Sequence, residues 1–141
     1  MFKSIFKVNK MSGEAAITGV KDKNIRITII PSKIRSCKVT AIGDNAFEKC
    51  KSLKEVFMPD SVTIIGEFAF DNCTSLKSIT IPESITYIAS DAFKDCTNLS
   101  EVSFESESCC EIIETSAFAG CSSLNAITIP QSVKTIAEEA F

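Results

Sequence analysis

The sequence predicts an α/β repeat solenoid, a right-handed coil of short parallel strands joined by one-turn helices or 3₁₀ turns and closed at its N-terminus by a β-hairpin. Three observations carry this expectation. An Ala-Phe pair recurs along the chain at near-constant spacing. Cysteine and then leucine follow that pair in fixed register. Each leucine is followed by apolar residues alternating with polar ones, the mark of a strand with one buried face.

The repeat sets each element in turn. The pairs are Ala46-Phe47, Ala69-Phe70, Ala92-Phe93, Ala117-Phe118 and Ala140-Phe141, with phenylalanines 23, 23, 25 and 23 residues apart. Cys50, Cys73, Cys96 and Cys121 come three residues later, and Leu53, Leu76, Leu99 and Leu124 three after those. Val56 and Met58, Ile79 and Ile81, Val102 and Phe104, and Ile127 and Ile129 then alternate, placing a strand in every unit. Pro59, Pro82 and Pro130 end these strands, because proline has no N–H for a ladder. A second short extended piece follows, carrying Val62 and Ile65, Ile85 and Ile88, and Val133 and Ile136. The polar stretch before each leucine, such as Asp71 to Ser75, predicts a single helical or 3₁₀ turn. A unit this short cannot bury its apolar residues alone, so the units must stack into one continuous core.

Three places depart from the ruler. In the third unit Glu105 stands where proline is expected, and two extra residues precede Cys110, which takes the Val/Ile core slot. An insertion of this kind predicts a surface loop that leaves the stack intact. Near the start, Ala15–Val20 and Ile25–Ile29 read as two strands across the polar turn Lys21–Asn24, a hairpin placed to cap the first layer. At the other end the chain given stops at Phe141, inside a unit, so this end is expected to fray or to pair with a second copy as a homodimer. The organisation is then a tail or edge strand over 1–13, an N-terminal capping unit over 14–46, and about four repeats over 47–141, the last incomplete.

The pattern Ile-Gly-x-x-Ala-Phe-x-x-Cys-x-x-Leu-x-x-Val/Ile-x-x-Pro-x-Ser-Val/Ile resembles the BspA-type (Treponema-type) leucine-rich repeat, most cleanly from Ile65 to Leu99. Ala16-Ile17-Thr18-Gly19 and the stretch from Ile29 to Gly43 are similar to that family's N-terminal unit. The resemblance implies a leucine-rich-repeat coil found in oral and gut bacteria and in parasitic protists. It also implies a binding role, in several members as a surface adhesin for matrix or host proteins.

Composition argues against catalysis. Histidine is absent, which removes the usual general base and the commonest metal ligand. A net charge of −3 and a pI near 5.0 give no basic patch for nucleic acid. No run approaches the roughly 18 apolar residues that cross a bilayer, so no membrane insertion is expected. Gly43 and Gly66 close turns, and no phosphate-binding glycine loop is present. Glu67, Asp91 and Glu138, just before Ala-Phe, read as a solvated acidic stripe. No catalytic residue, cofactor or metal is expected.

The cysteines read as packing. Four in a straight column about 4.8 Å apart cannot surround one zinc ion, and equivalents pointing the same way cannot form disulfides. Cys37 is read as core with them. Cys109, beside the polar insert, is the candidate exposed thiol, either reactive or merely exposed. Unpaired thiols and the lack of a clear signal peptide favour the cytoplasm, whereas the family resemblance allows the cell surface. The sequons Asn72-Cys73-Thr74 and Asn98-Leu99-Ser100 matter only in a chain secreted by a eukaryote.

What remains is the strand face that points away from the core. Its candidate partner-binding residues are Glu55, Phe57, Ser78, Thr80, Glu101, Ser103 and Thr128, with Ala126 beside the last. Phe57 is either the anchor for a partner or covered by the N-terminal hairpin. The expected function is a non-enzymatic module that binds a protein partner through this face. The alternative is a cell-surface adhesin of a bacterium or protist that binds host or matrix proteins.

Overall fold

Two columns of short strands and one corner of turns repeat along the chain, and together they enclose a single core. The computed structural model describes residues 4–141; residues 1–3 of the expected tail lie outside them. The first column contains β3 (Ile27–Ile29), β6 (Glu55–Phe57), β8 (Ser78–Ile81) and β10 (Glu101–Phe104). The second contains β5 (Cys37–Ile42), β7 (Ile64–Ile65), β9 (Tyr87–Ile88), β11 (Ile112–Ile113) and β12 (Thr135–Ile136), all parallel and in register. In that column Ile42, Ile65, Ile88 and Ile113 point inward, each fully buried.

The phenylalanines form the spine. Phe47, Phe70, Phe93, Phe118 and Phe141 stack with ring centroids 5.0 to 5.4 Å apart and planes within 6° of parallel. This spacing is close to the roughly 4.8 Å between neighbouring strands, so one ring rides on each layer, slightly offset from the next. Leu53, Leu76, Leu99 and the cysteine column fill the space beside them.

The corner differs from expectation. Helices and 3₁₀ turns are absent among the described residues, and the solenoid is built of strands and turns. Alternate amides explain why. The N–H groups of Ala46, Glu48 and Cys50 donate three residues back, to Gly43, Asn45 and Phe47. Those of Asn45, Phe47 and Lys49 donate instead to Glu67, Ala69 and Asp71 in the next layer. A helix needs every successive amide for itself, so this division prevents one. The backbone matches: Asn45, Phe68, Asp91, Ser116 and Glu139 have φ between 54° and 58°, as do Lys49, Asn72 and Asp95. Left-handed residues recurring at two fixed corner positions break any helical run.

The N-terminal hairpin uses other strands than Ala15–Val20 and Ile25–Ile29. β1 (Phe6–Met11) pairs antiparallel with β2 (Glu14–Val20) across Ser12-Gly13, whose φ values of 49° and 83° suit a two-residue turn. β2 then pairs parallel with β5, and the short β4 (Lys33–Ile34) folds back on β5. β3 leaves this sheet and pairs parallel with β6. Lys21–Asn24 therefore connects two columns; the Asn24 N–H donates to Asp22 Oδ1 at 2.8 Å, and Lys23 Nζ reaches the carbonyl of Glu48.

Two further features lie at and beyond the third unit. Glu105, free of proline's restriction, donates its N–H to the Ile81 carbonyl at 3.1 Å, and its Oε2 accepts the N–H of Glu83 at 2.9 Å. The insert loops out, and β11 keeps its register with β9. Beyond it, residues 125–129 form no strand, and a groove of about 430 Å³ lies between them and β10.

Candidate interaction face

The outward positions of the first column make up the candidate site. The parallel register places Glu55 beside Ile27 and Phe57 beside Ile29, with Ser78 beside Glu101 and Thr80 beside Ser103. Glu55, Phe57, Ser78, Thr80, Glu101 and Thr128 are exposed and Ser103 half-exposed. Ser103 and Thr80 link their hydroxyls at 3.3 Å. Thr128 and Ala126 lie across the groove beyond β10 and are not in its ladder.

Phe57 is 52% exposed. The hairpin does not cover it. Beside it on the same face stand Ile27, 57% exposed, and Ile29, 71% exposed. Between them Thr28 turns inward, 2% exposed, and its Oγ1 has no hydrogen-bond partner. β3 thus has its polarity reversed, with isoleucines outward and threonine inward. The sequence alone assigns these residues to a capping hairpin, whereas pairing with β6 puts them on the outward face. The bond from the Lys54 N–H to the Arg26 carbonyl matches that from Ser100 to Lys77, but the first pair is 28 residues apart and the second 23, so the repeat spacing does not reach β3.

The second column also presents an outward row, with Ile64 42% exposed beside half-exposed Ala41, Tyr87 and Ile112. Thr63 and Thr86 flank it, each hydroxyl donating to the carbonyl of the preceding threonine at 3.3 Å.

The thiols are all free, and they divide as the column geometry expects, with one exception. Cys50, Cys73, Cys96, Cys110 and Cys121 are buried and Cys109 is exposed, whereas Cys37, read as core, is only half-buried at the end of a hairpin. The thiols of Cys73, Cys96 and Cys121 each donate to the phenylalanine carbonyl of the preceding layer at 3.1 Å. Burial pushes the Cys121 thiol up to about 12 and the Cys110 thiol up to about 11. The hydrogen bond with Cys73 and burial both push Cys96 upward. Such thiols stay protonated and inert at neutral pH. Among the described residues, no three of His, Cys, Asp and Glu gather to hold a metal, and no helix is long and apolar enough to cross a membrane.

The family model for the BspA type leucine rich repeat region matches residues 21–141 in six copies. The chain belongs to the BspA-type leucine-rich-repeat family. Its match begins inside the stretch that sequence analysis set apart as an N-terminal unit. No curated protein matches in sequence. Among solved structures, a leucine-rich repeat protein from Eubacterium ventriosum is similar over 89% of this chain, at 24% identity and a TM-score of 0.76. A leucine rich cell surface protein from Faecalibacterium prausnitzii is similar over all of it, at 25% identity and a TM-score of 0.55. A leucine-rich repeat protein from Bacteroides capillosus is similar over 74%, at 22% identity and a TM-score of 0.53. The chain spans 32%, 51% and 97% of these three proteins respectively.

Proposed function

We propose that this BspA-type chain is a non-enzymatic interaction module that binds a protein partner through the outward face of its first strand column. Ile27, Ile29 and Phe57 are the apolar anchor, and Glu55, Ser78, Thr80, Glu101, Ser103 and Thr128 form the polar surround. The reversed polarity of β3 carries this reading. An exposed isoleucine forgoes roughly 1.5–3 kcal/mol of burial, and a buried unpaired hydroxyl costs about 1–3 kcal/mol. Folding alone favours the opposite arrangement, so the outward patch answers to something other than stability. An apolar cluster rimmed by hydroxyls and carboxylates is the usual layout of an interface centre. The β1–β2 hairpin then serves as the cap of the stack, with Phe6 set edge-on to Phe47 at 6.5 Å.

Photo-cross-linking tests this reading. A photoreactive phenylalanine at position 57 is expected to trap a discrete protein adduct in cells of the source organism, and one at Thr63, on the other column, is not. Adducts from position 63 alone, or the same adducts from both, would overturn it.

The surface-adhesin alternative draws support from the similar Faecalibacterium prausnitzii protein, described as a cell surface protein. Antibody labelling of intact cells, compared with permeabilised ones, separates the two. Labelling of intact cells supports the adhesin, and labelling only after permeabilisation removes it.

A further inference from the structure

The first strand column is not one continuous sheet. β3 pairs with β6 and β8 with β10, but no ladder hydrogen bond joins β6 to β8 or β10 to residues 125–130. A groove lies at each seam, about 280 Å³ at the first and about 430 Å³ at the second. Strand edges facing these grooves keep unpaired backbone groups, which an extended chain can meet. Apolar side chains flank both, Phe57 and Met58 at the first, Phe104 and Ile127 at the second.

Glu105 lines both grooves. Among the described residues, the only other charged one in either is Glu55, and no lysine or arginine lines them. Glu105 occupies the position that Pro59, Pro82 and Pro130 hold in the other units. The Glu83 N–H tethers one carboxylate oxygen, and Glu105 forms no ion pair among the described residues. The site is therefore apolar at its flanks and anionic at its centre, with no cation among the described residues that line it.

We infer that the partner segment is an extended peptide lying across these two seams, with a lysine or arginine on Glu105 and apolar residues against Phe57 and Phe104. This rests on the proposed binding face and names the chemistry it selects. A carboxylate held by a backbone N–H is oriented before a partner arrives, so it discriminates by charge at little ordering cost.

The probe is a short fluorescent peptide of alternating valine and threonine with one central arginine, together with a twin carrying norleucine in its place. Binding to the whole 141-residue chain is read by anisotropy. The arginine peptide is expected to bind roughly fivefold more tightly than its twin, an advantage that shrinks as salt rises. Glu105→Gln, which keeps an acceptor for Glu83, is expected to abolish the difference, and Glu105→Lys to reverse it, with circular dichroism unchanged. Equal binding of the two peptides to the native chain, or an arginine preference that survives Glu105→Gln, would overturn the inference. Absence of binding by both would overturn it as well. The proposed face itself stands or falls separately, on the cross-links at position 57.

Discussion

The Cys96 thiol donates to the carbonyl oxygen of Phe70, 3.1 Å away in the preceding layer. The same bond joins Cys73 to Phe47 and Cys121 to Phe93. The cysteine of the repeat is thus a small core residue that also gives a second donor to a carbonyl already accepting a backbone N–H within its own layer.

Thiol accessibility should follow this geometry. In the native protein Cys109 is expected to react first with a maleimide or disulfide reagent, with half-buried Cys37 slower. Cys50, Cys73, Cys96, Cys110 and Cys121 should react only on unfolding. Mass spectrometry of timed samples checks the order. Early labelling of Cys73 or Cys96 would show that the cysteine column is open.

Raised thiol pKa values also set a pH dependence. Below pH 9.0, the ordinary value, Cys121 keeps its proton in both folded and unfolded chains and contributes no slope. Between 9.0 and about 12 only the unfolded chain releases it, so stability falls as pH rises through that window. Urea midpoints measured from pH 8 upward should decline, and more shallowly in Cys121→Ala than in the native chain. Parallel declines would remove this thiol as a contributor.

Phe93→Ala should be among the most damaging substitutions. Phe93 stacks between Phe70 and Phe118 at 5.1 Å on each side, fully buried, and neighbours held in their own layers cannot fill the space. A loss of roughly 3–5 kcal/mol is expected from denaturant unfolding. An unchanged midpoint would mean that the ring column does not hold the layers together.

The corner offers opposite effects at equivalent positions. Lys49 carries φ of 58° without being glycine, and Lys49→Gly should stabilise by roughly 0.5–1 kcal/mol. Gly120 holds φ of 74°, and a Cβ there would collide with Asp95 Oδ1, so Gly120→Ala should destabilise. Thermal melts of the two variants decide whether the left-handed positions are set by the backbone.

In the 141-residue chain the last layer leaves Ile136 47% and Phe141 50% exposed, and Phe141 lines a cavity of about 310 Å³. Either association or fraying at this end is expected; association would slow hydrogen exchange over residues 124–141 in concentrated samples and quicken it on dilution. Rapid exchange at every concentration would indicate fraying. Slow exchange in a monomer at all concentrations would contradict both outcomes.

Much of the fold is legible because the Ala-Phe, Cys and Leu positions each fill one core slot per layer, and a fixed spacing exposes them. The corner is less legible. Asp71 to Ser75 has the composition of any tight turn, and what denies it a helix is the claim of the neighbouring layer on alternate amides. β3 was hidden for another reason. Ile25–Ile29 reads as an alternating strand on either face, and only the register with β6 decides that Thr28 turns in and the isoleucines out. Phe57, Thr80 and Glu101 were visible from alternation alone, whereas Ile27, Ile29 and the seams at Glu105 depend on which strands pair.

A protein partner that covers the first strand column shields its amides from exchange. Hydrogen exchange of the chain alone, compared with the chain carrying the partner trapped at position 57, measures this shielding. Slowing confined to β3, β6, β8 and β10, with β7, β9 and β11 unchanged, is the expected result. Slowing on β7, β9 and β11 with the first column unchanged would contradict it.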